Sequence, residues 1–354
     1  MARFKVLFLG ATGYAGGCAL TKLFLDRKSD EEVTVLVRSA EKAEKLKKYD
    51  VIPIVGSLED AQLVERLASE SDIVMNIANS WVVNWVNNIL RGLKKRYETT
   101  GNKPVYIHTS GTGLLADDAK GRVLTDIVYD DTDIEQMASI PPDAPHRALD
   151  LAIVDADEEG YCQSYIVIPS VIWGKARTEL VEDGIQNPHS VPIPTIANAT
   201  LEIGQAFVLG DGVPRWNHVE VNELADLYVA LYDAVRDPHG TSIGHGKNGY
   251  YFAESGECSW MELGEAMGRA LHTLDPSRLA IVRSYSPEEE SRISSWGSNA
   301  RCKGNHSRSL GWKPRLTSKD FLDSVLPDVE RWIKDGKPLG SKQRWRQSKG
   351  SLRS

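Results

Sequence analysis

Cysteine and long apolar runs are both scarce in this sequence of 354 residues. The four cysteines, Cys18, Cys162, Cys258 and Cys302, lie far apart and include no Cys-x-x-Cys pair. This spacing excludes the common zinc-binding and disulfide-rich patterns, and it favours a reducing, cytoplasmic environment. No apolar run approaches the roughly 20 residues that a membrane-spanning helix needs. We therefore expect no metal site and no membrane partner.

Basic charge is also scarce over most of the chain. The formal net charge is −7, yet the last fourteen residues carry five Lys or Arg side chains and no acid, so residues 1–340 carry −12. An acidic body argues against a nucleic-acid partner and leaves a small molecule as the expected ligand. Short polar termini are commonly disordered, and we predict this state for the basic tail, 336–354.

Short β-branched apolar runs alternate with amphipathic segments through the first half of the chain. The predicted strands are 5–9, 33–37, 52–55, 73–77, 105–108 and 165–168. The predicted helices are 14–26, 41–48, 59–69, 81–97 and 144–159. This alternation predicts an α/β fold with a Rossmann-type, doubly wound parallel sheet.

The pattern changes after residue 168. Segment 174–216 reads as a long loop, as does 110–145 earlier in the chain. After 216 we predict helices over 221–236, 259–271 and 317–334 and a strand over 250–253. We predict a dinucleotide-binding domain over 1–173 and about 217–252. A smaller C-terminal substrate lobe is predicted over about 174–216 and 253–335.

A glycine-rich turn between the first strand and the first helix is the strongest candidate site. Gly10, Gly13 and Gly16 stand at three-residue spacing. Glycines allow a tight turn and a close approach of the backbone to a pyrophosphate, and the helix N-terminus then offers N–H groups to the phosphates. The predicted cofactor-binding residues of this turn are Gly10, Thr12, Gly13, Tyr14, Ala15 and Gly16.

Arg38 follows the second predicted strand, where a dinucleotide site distinguishes its two cofactors. An acid at this position accepts from the 2′-hydroxyl of NAD, whereas an arginine pairs with the 2′-phosphate of NADP. Arg38 therefore favours NADP, with NAD left possible.

Motifs in six segments together make the sequence similar to the extended short-chain dehydrogenase/reductase family, of the NAD-dependent epimerase/dehydratase type. The resemblance covers about residues 5–334. The segments that carry it are 10–16, 71–78, 108–113, 168–174, 210–225 and 310–314. It implies that the ends of the fourth strand, at Asn76 and Ala78, and of the sixth, at Pro169, line the cofactor. It also implies a homodimer through the fourth and fifth helices.

One departure from this family concerns catalysis. The family's Tyr-x-x-x-Lys pair belongs at the start of the helix before the sixth strand, and that helix contains neither residue here. Its Tyr exchanges a proton with the substrate oxygen, and its Lys lowers the Tyr pKa and holds the nicotinamide ribose. The candidates that remain are His146 as proton donor, Arg147 at the ribose, and Ser110 or Thr112 at the substrate oxygen.

These residues favour an NADP(H)-dependent oxidoreductase that acts on a small organic carbonyl or alcohol. Two alternatives stay open, because a fold does not determine a function. One is a non-catalytic NADP-binding sensor similar to the NmrA-like regulators, which lack the Tyr. The other is a non-redox isomerase or lyase on the same scaffold.

Overall fold

The computed structural model describes residues 3–27, 30–78, 81–237, 243–286 and 296–334. The predicted tail over 336–354 lies outside the described residues. The strands are β1 (Phe4–Leu9), β2 (Glu31–Val37), β3 (Ile52–Val55), β4 (Ile73–Asn76), β5 (Val105–Thr109), β6 (Tyr129–Asp130), β7 (Gln163–Pro169), β8 (Val171–Trp173), β9 (Phe207–Leu209), β10 (Arg215–Glu220), β11 (Tyr250–Ala253), β12 (Gly256–Ser259), β13 (Arg283–Tyr285) and β14 (Cys302–Lys303).

The helices alternate with these strands. They are α1 (Tyr14–Leu20), α2 (Ala40–Leu46), α3 (Ala61–Ser69), α4 (Val83–Thr100), α5 (Ile134–Ala138), α6 (Arg147–Glu158), α7 (Glu179–Glu182), α8 (Pro192–Ile203), α9 (Val221–Arg236), α10 (Trp260–Leu274), α11 (Asn305–Ser309) and α12 (Ser318–Lys334). A π-helical turn, Thr21–Leu25, continues α1, and short 3-10 turns cover Thr112–Leu115 and Gly246–Asn248.

Seven parallel strands form the central sheet in the order β11-β7-β5-β4-β1-β2-β3. Their apolar runs are buried because helices cover both faces, α1 and α9 on one side and α3, α4 and α6 on the other. The order reverses between β1 and β4, and ligands of such sheets bind at the carboxyl edge near that reversal. The predicted doubly wound fold is confirmed.

A second layer of structure lies beyond this sheet. The strands β12, β10 and β8 form a small sheet, and α8, α10 and α12 share an apolar core with it. No helix among the described residues combines the length and apolar character that crossing a membrane requires.

Several predicted boundaries were wrong. The segment 174–216 was predicted as loop, but α8 begins at Pro192. Pro192 and Pro194 stand at the first and third helical positions, where a backbone N–H has no acceptor within the helix, so proline costs nothing there. The loop predicted over 110–145 contains α5. The helix predicted from residue 81 begins at Val83.

Candidate functional site

The glycine turn joins β1 to α1 at the carboxyl edge of the sheet. Gly10 has a φ of +100°, and the N–H of Gly13 donates to its carbonyl oxygen at 2.8 Å. No side chain caps α1, and its first turn contains no acid. The start of this helix is therefore suited to an anion, because the helix dipole favours negative charge there.

The three glycines differ in what surrounds them. A Cβ atom at Gly10 would lie 2.5 Å from the Ile77 carbonyl oxygen, and one at Gly16 would lie 2.2 Å from that of Gly10. These two glycines are needed for the turn to pack against β4. At Gly13 the added Cβ would meet only the Gly10 carbonyl oxygen, at 3.1 Å. Gly13 therefore faces the open side of the turn, where a phosphate would approach.

The segment after β8 holds this turn from behind. The Tyr14 hydroxyl donates to the carbonyl oxygen of Gly174 at 2.6 Å. The side-chain amide of Gln186 donates to the Tyr14 carbonyl at 2.8 Å, and the N–H of Asn187 donates to that of Thr12 at 3.0 Å. The phenol of Tyr14 is buried by these contacts, so only its backbone amide is available to a nucleotide. Ala15 is half-buried in the first turn of α1.

Arg38 is exposed immediately after β2, next to the helix-capping Ser39. Its guanidinium has no hydrogen-bond or ion-pair partner in the described part of the chain. It is therefore available to an anionic group at the second strand.

The ends of β4 and β7 reach the same edge. The Asn76 side chain turns inward: its amide contacts the Tyr106 hydroxyl at 3.2 Å and Nδ1 of His108 at 3.3 Å. Ala78 is exposed beyond β4, whereas Pro169 is buried at the last position of β7. Among these three, Ala78 has the most open position towards a ligand.

His146 lies beside the end of β5. It precedes α6 with a φ of +67°, a left-handed conformation that is strained for a residue with a side chain. Its imidazole packs under the indole of Trp81, with 4.0 Å between ring centres. A Cβ atom at Gly111 would lie 3.1 Å from its Nε2, so a side chain there would press against the imidazole. Strain of this kind is typical of functional positions.

Ser110 and Thr112 follow β5 and are both buried. The Ser110 hydroxyl donates to Oδ2 of Asp150 at 2.9 Å. The prediction that Ser110 donates to a substrate oxygen does not fit this geometry, because its hydrogen is directed to Asp150. Thr112 begins the 3-10 turn beside His146.

Arg147 is turned away from this edge. Its two terminal nitrogens donate to the Tyr250 hydroxyl and to the Met137 carbonyl oxygen, each at 2.9 Å. The side chain is 4% exposed. Its predicted contact with a nucleotide ribose does not fit, because both ends of its guanidinium already bind protein oxygens. Arg147 instead joins α6 to β11 and α5.

This placement gives a first testable prediction. Arg147→Met should lower the free energy of unfolding by about 2–4 kcal/mol, because it leaves a buried carbonyl and a buried hydroxyl without their charged donor. Nucleotide affinity should change less than about twofold. Urea unfolding and calorimetry measure the two quantities. A folded, stable variant with strongly weakened nucleotide binding would show that Arg147 contacts the ribose.

Burial shifts the pKa values of two groups beneath the site. Burial, with a smaller contribution from His146, lowers the pKa of His108 to about 3, so this ring is neutral. Burial raises the pKa of Asp150 to about 7, although the Ser110 hydrogen bond and the Arg147 charge oppose the change. The carboxyl group of Asp150, which titrates near neutral pH, therefore binds Ser110, and the next residue, Gly111, lies against the His146 imidazole.

Comparison with known proteins adds to this geometry. A protein from Acremonium sp named oxidase ucsJ is 30% identical to this chain over 331 residues, which is 88% of this chain and 92% of that protein. The chain belongs to the same family as this oxidase. No protein-family model matches the sequence.

Solved structures of other proteins have a similar fold. UDP-glucose 4-epimerase from Thermotoga maritima, solved with UDP-glucose, has a TM-score of 0.63 at 14% identity, over 93% of this chain and 100% of that one. dTDP-glucose 4,6-dehydratase from Bacillus anthracis, solved with NAD, has a TM-score of 0.61 at 13% identity, over 94% and 100%. These are extended short-chain dehydrogenases/reductases, so the resemblance predicted from the motifs is confirmed at the level of the fold.

Two residues of this site were not predicted from the sequence. Trp81 belonged to a predicted helix, but it lies outside α4, is 53% exposed and covers His146. Asp150 was not predicted as a site residue. The available signal was its spacing, since His146-x-x-x-Asp150 has the same interval as the family's Tyr-x-x-x-Lys.

Proposed function

We propose that this chain is an NADP(H)-dependent oxidoreductase that interconverts a small organic carbonyl and alcohol, with His146 as its proton donor and acceptor. The observation that carries this proposal is the imidazole of His146, held between Trp81 and Gly111 at the carboxyl end of β5. The relationship to an oxidase supports redox chemistry, and the structural neighbours include an epimerase and a dehydratase.

The residues of the glycine turn fit a dinucleotide. The open side at Gly13 is a space that a side chain would fill, and the uncapped start of α1 would receive the pyrophosphate. Arg38 would pair with a 2′-phosphate, since its guanidinium is exposed and has no protein partner among the described residues. When bound, the nicotinamide supplies or accepts a hydride at the substrate carbon.

The chain's own part in the reaction is to bind the substrate and move one proton. In the reducing direction, the imidazolium of His146 would donate a proton to the substrate oxygen and become neutral. Water would then restore the proton. The indole of Trp81 would cover one side of the reacting group and exclude solvent from it, since the ring packs on the imidazole and is exposed on its other side.

The direct test is NADPH consumption against a broad panel of carbonyl compounds, with calorimetry of NADP and NADPH beside it. We expect measurable reduction of at least one carbonyl and binding of both forms. Binding of both without turnover of any compound would favour the sensor. Conversion of a substrate without net change in NADPH would favour the isomerase or lyase.

The choice of nucleotide gives a second prediction. Arg38→Ala should weaken NADP binding by about 10- to 150-fold, because a charge-assisted bond to a phosphate contributes about 1.5–3 kcal/mol. NAD binding should change little. Calorimetry with both nucleotides measures the difference. Equal losses for NADP and NAD would show that Arg38 does not read the 2′-phosphate.

A further inference from the structure

The side chain of Asp150 is completely buried on α6, one helical turn after His146. One of its oxygens accepts the hydrogen bond from Ser110, and the other, Oδ1, has no partner. A buried carboxylate oxygen without a donor is costly, and native structures keep few of them. This cost requires a reason.

Asp150 and His146 meet the same short segment after β5. Ser110 donates to the carboxyl group, and the next residue, Gly111, packs against the imidazole. The backbone N–H of Asp150 also donates to the His146 carbonyl oxygen at 3.2 Å. The acid and the imidazole are therefore fixed relative to each other by one turn of helix and two residues of loop.

The interval between these two residues matches the Tyr-x-x-x-Lys pair that this chain lacks, with the charges exchanged. A lysine cation makes a tyrosine, whose pKa is about 10, a stronger acid. A histidine, with a pKa of about 6.5, needs the opposite aid to keep its proton at neutral pH. An anion provides it, because it favours the imidazolium.

We infer that Asp150 is a positioning residue whose buried carboxylate holds a proton on the imidazole of His146, so that the two form a charge-exchanged counterpart of the Tyr-x-x-x-Lys pair. The pair carries one proton in its resting state. In the proposed reduction that proton passes to the substrate oxygen, leaving neutral imidazole beside carboxylate, and water replaces it. The use of this proton rests on the proposed function; the pairing itself does not.

The other ionisable groups around the pair leave this role to Asp150. On β5, His108 is neutral, and the hydroxyl of Tyr106 bonds to the polar groups of Asn76 and His108. On α6, the guanidinium of Arg147 donates to Met137 and to Tyr250 of β11, and its charge also lowers the pKa of Asp150, which favours the carboxylate. Burial raises the pKa of Asp150 to about 7, and an imidazolium beside it would favour the carboxylate and lower that value.

The test is a histidine titration by NMR on the full-length protein without nucleotide, with the His146 signal identified by its loss in His146→Gln. Asp150→Asn keeps the shape and the Ser110 acceptor but removes the charge. We expect it to lower the His146 titration midpoint by about one pH unit or more. An unchanged or higher midpoint overturns the inference.

The matched control is Asp157→Asn. Asp157 is another acid on α6 and is half-buried, but it contacts His245 and accepts from the N–H of Ser164, away from His146. Asp157→Asn should leave the His146 titration midpoint unchanged. Ser110→Ala, which removes only the bond to the carboxylate, should lower the midpoint by a smaller amount and serves if Asp150→Asn does not fold.

The pH profile of turnover separates the two proposals. In the reducing direction the rate falls as His146 loses its proton, and Asp150→Asn should move this fall to lower pH by the same interval as the NMR midpoint. A shifted midpoint in a protein without any nucleotide-dependent turnover would sustain the pairing and reject the proposed function. Turnover with an unshifted midpoint would sustain the proposed function and reject the pairing.

Discussion

Replacement of His146 by glutamine should reduce turnover by about 10²–10⁴-fold, the usual contribution of a positioned general acid. Glutamine retains a polar group of similar size but cannot donate a proton from a charged state. The fall should appear in kcat, because the proton moves in the transition state. NADPH consumption at saturating nucleotide, with the substrate found in the carbonyl panel, measures it.

Two controls accompany this variant. His272→Gln changes an exposed histidine on α10 and should leave kcat unchanged. NADP affinity of His146→Gln, measured by calorimetry, should stay within about twofold of the wild type, because His146 lies outside the glycine turn. Undiminished turnover in His146→Gln would mean that another group, or water, donates the proton.

Gly13→Val should weaken nucleotide binding by about 100-fold or more, because the valine methyl groups would occupy the open side of the turn. The fold should survive. The backbone of Gly13, with φ −82° and ψ 168°, is acceptable to any residue, and its Cβ would meet a single oxygen at 3.1 Å. Calorimetry with NADP and urea unfolding measure affinity and stability on the same sample.

Gly16→Val is the matched comparison. Its Cβ would lie 2.2 Å from the Gly10 carbonyl oxygen, so this variant should lose stability as well as binding. A Gly13→Val protein that binds NADP as tightly as the wild type would remove the turn from the proposed site.

The sheet could be predicted from the sequence because its signals are local. Buried parallel strands are continuous apolar runs, and a glycine turn between the first strand and helix has a fixed spacing. The helix at Pro192 was not predicted, because a pair of prolines indicates a loop unless their exact position at a helix start is known.

The site was harder to predict than the sheet for a different reason. Residues three apart on a helix lie on the same face, so the sequence could not tell whether Arg147 or Asp150 reaches the segment after β5. The packed structure decides it, because Asp150 accepts from Ser110 whereas Arg147 donates to Tyr250 and Met137. Trp81 was predicted to lie in a helix, yet Val82 is extended and α4 begins only at Val83. The identity of the residue alone indicated that His146 is important, whereas its partner, Asp150, could be found only from the packed structure.

The contacts behind the glycine turn have a consequence for how the chain folds. The partners of Tyr14 in Gly174 and Gln186 lie 160 and 172 residues further along the chain. During synthesis, the turn is therefore made long before the residues that brace it. Contacts between such distant residues form late and slow folding. A fragment ending at residue 173 would carry every predicted nucleotide-contacting residue and still present an unsupported turn.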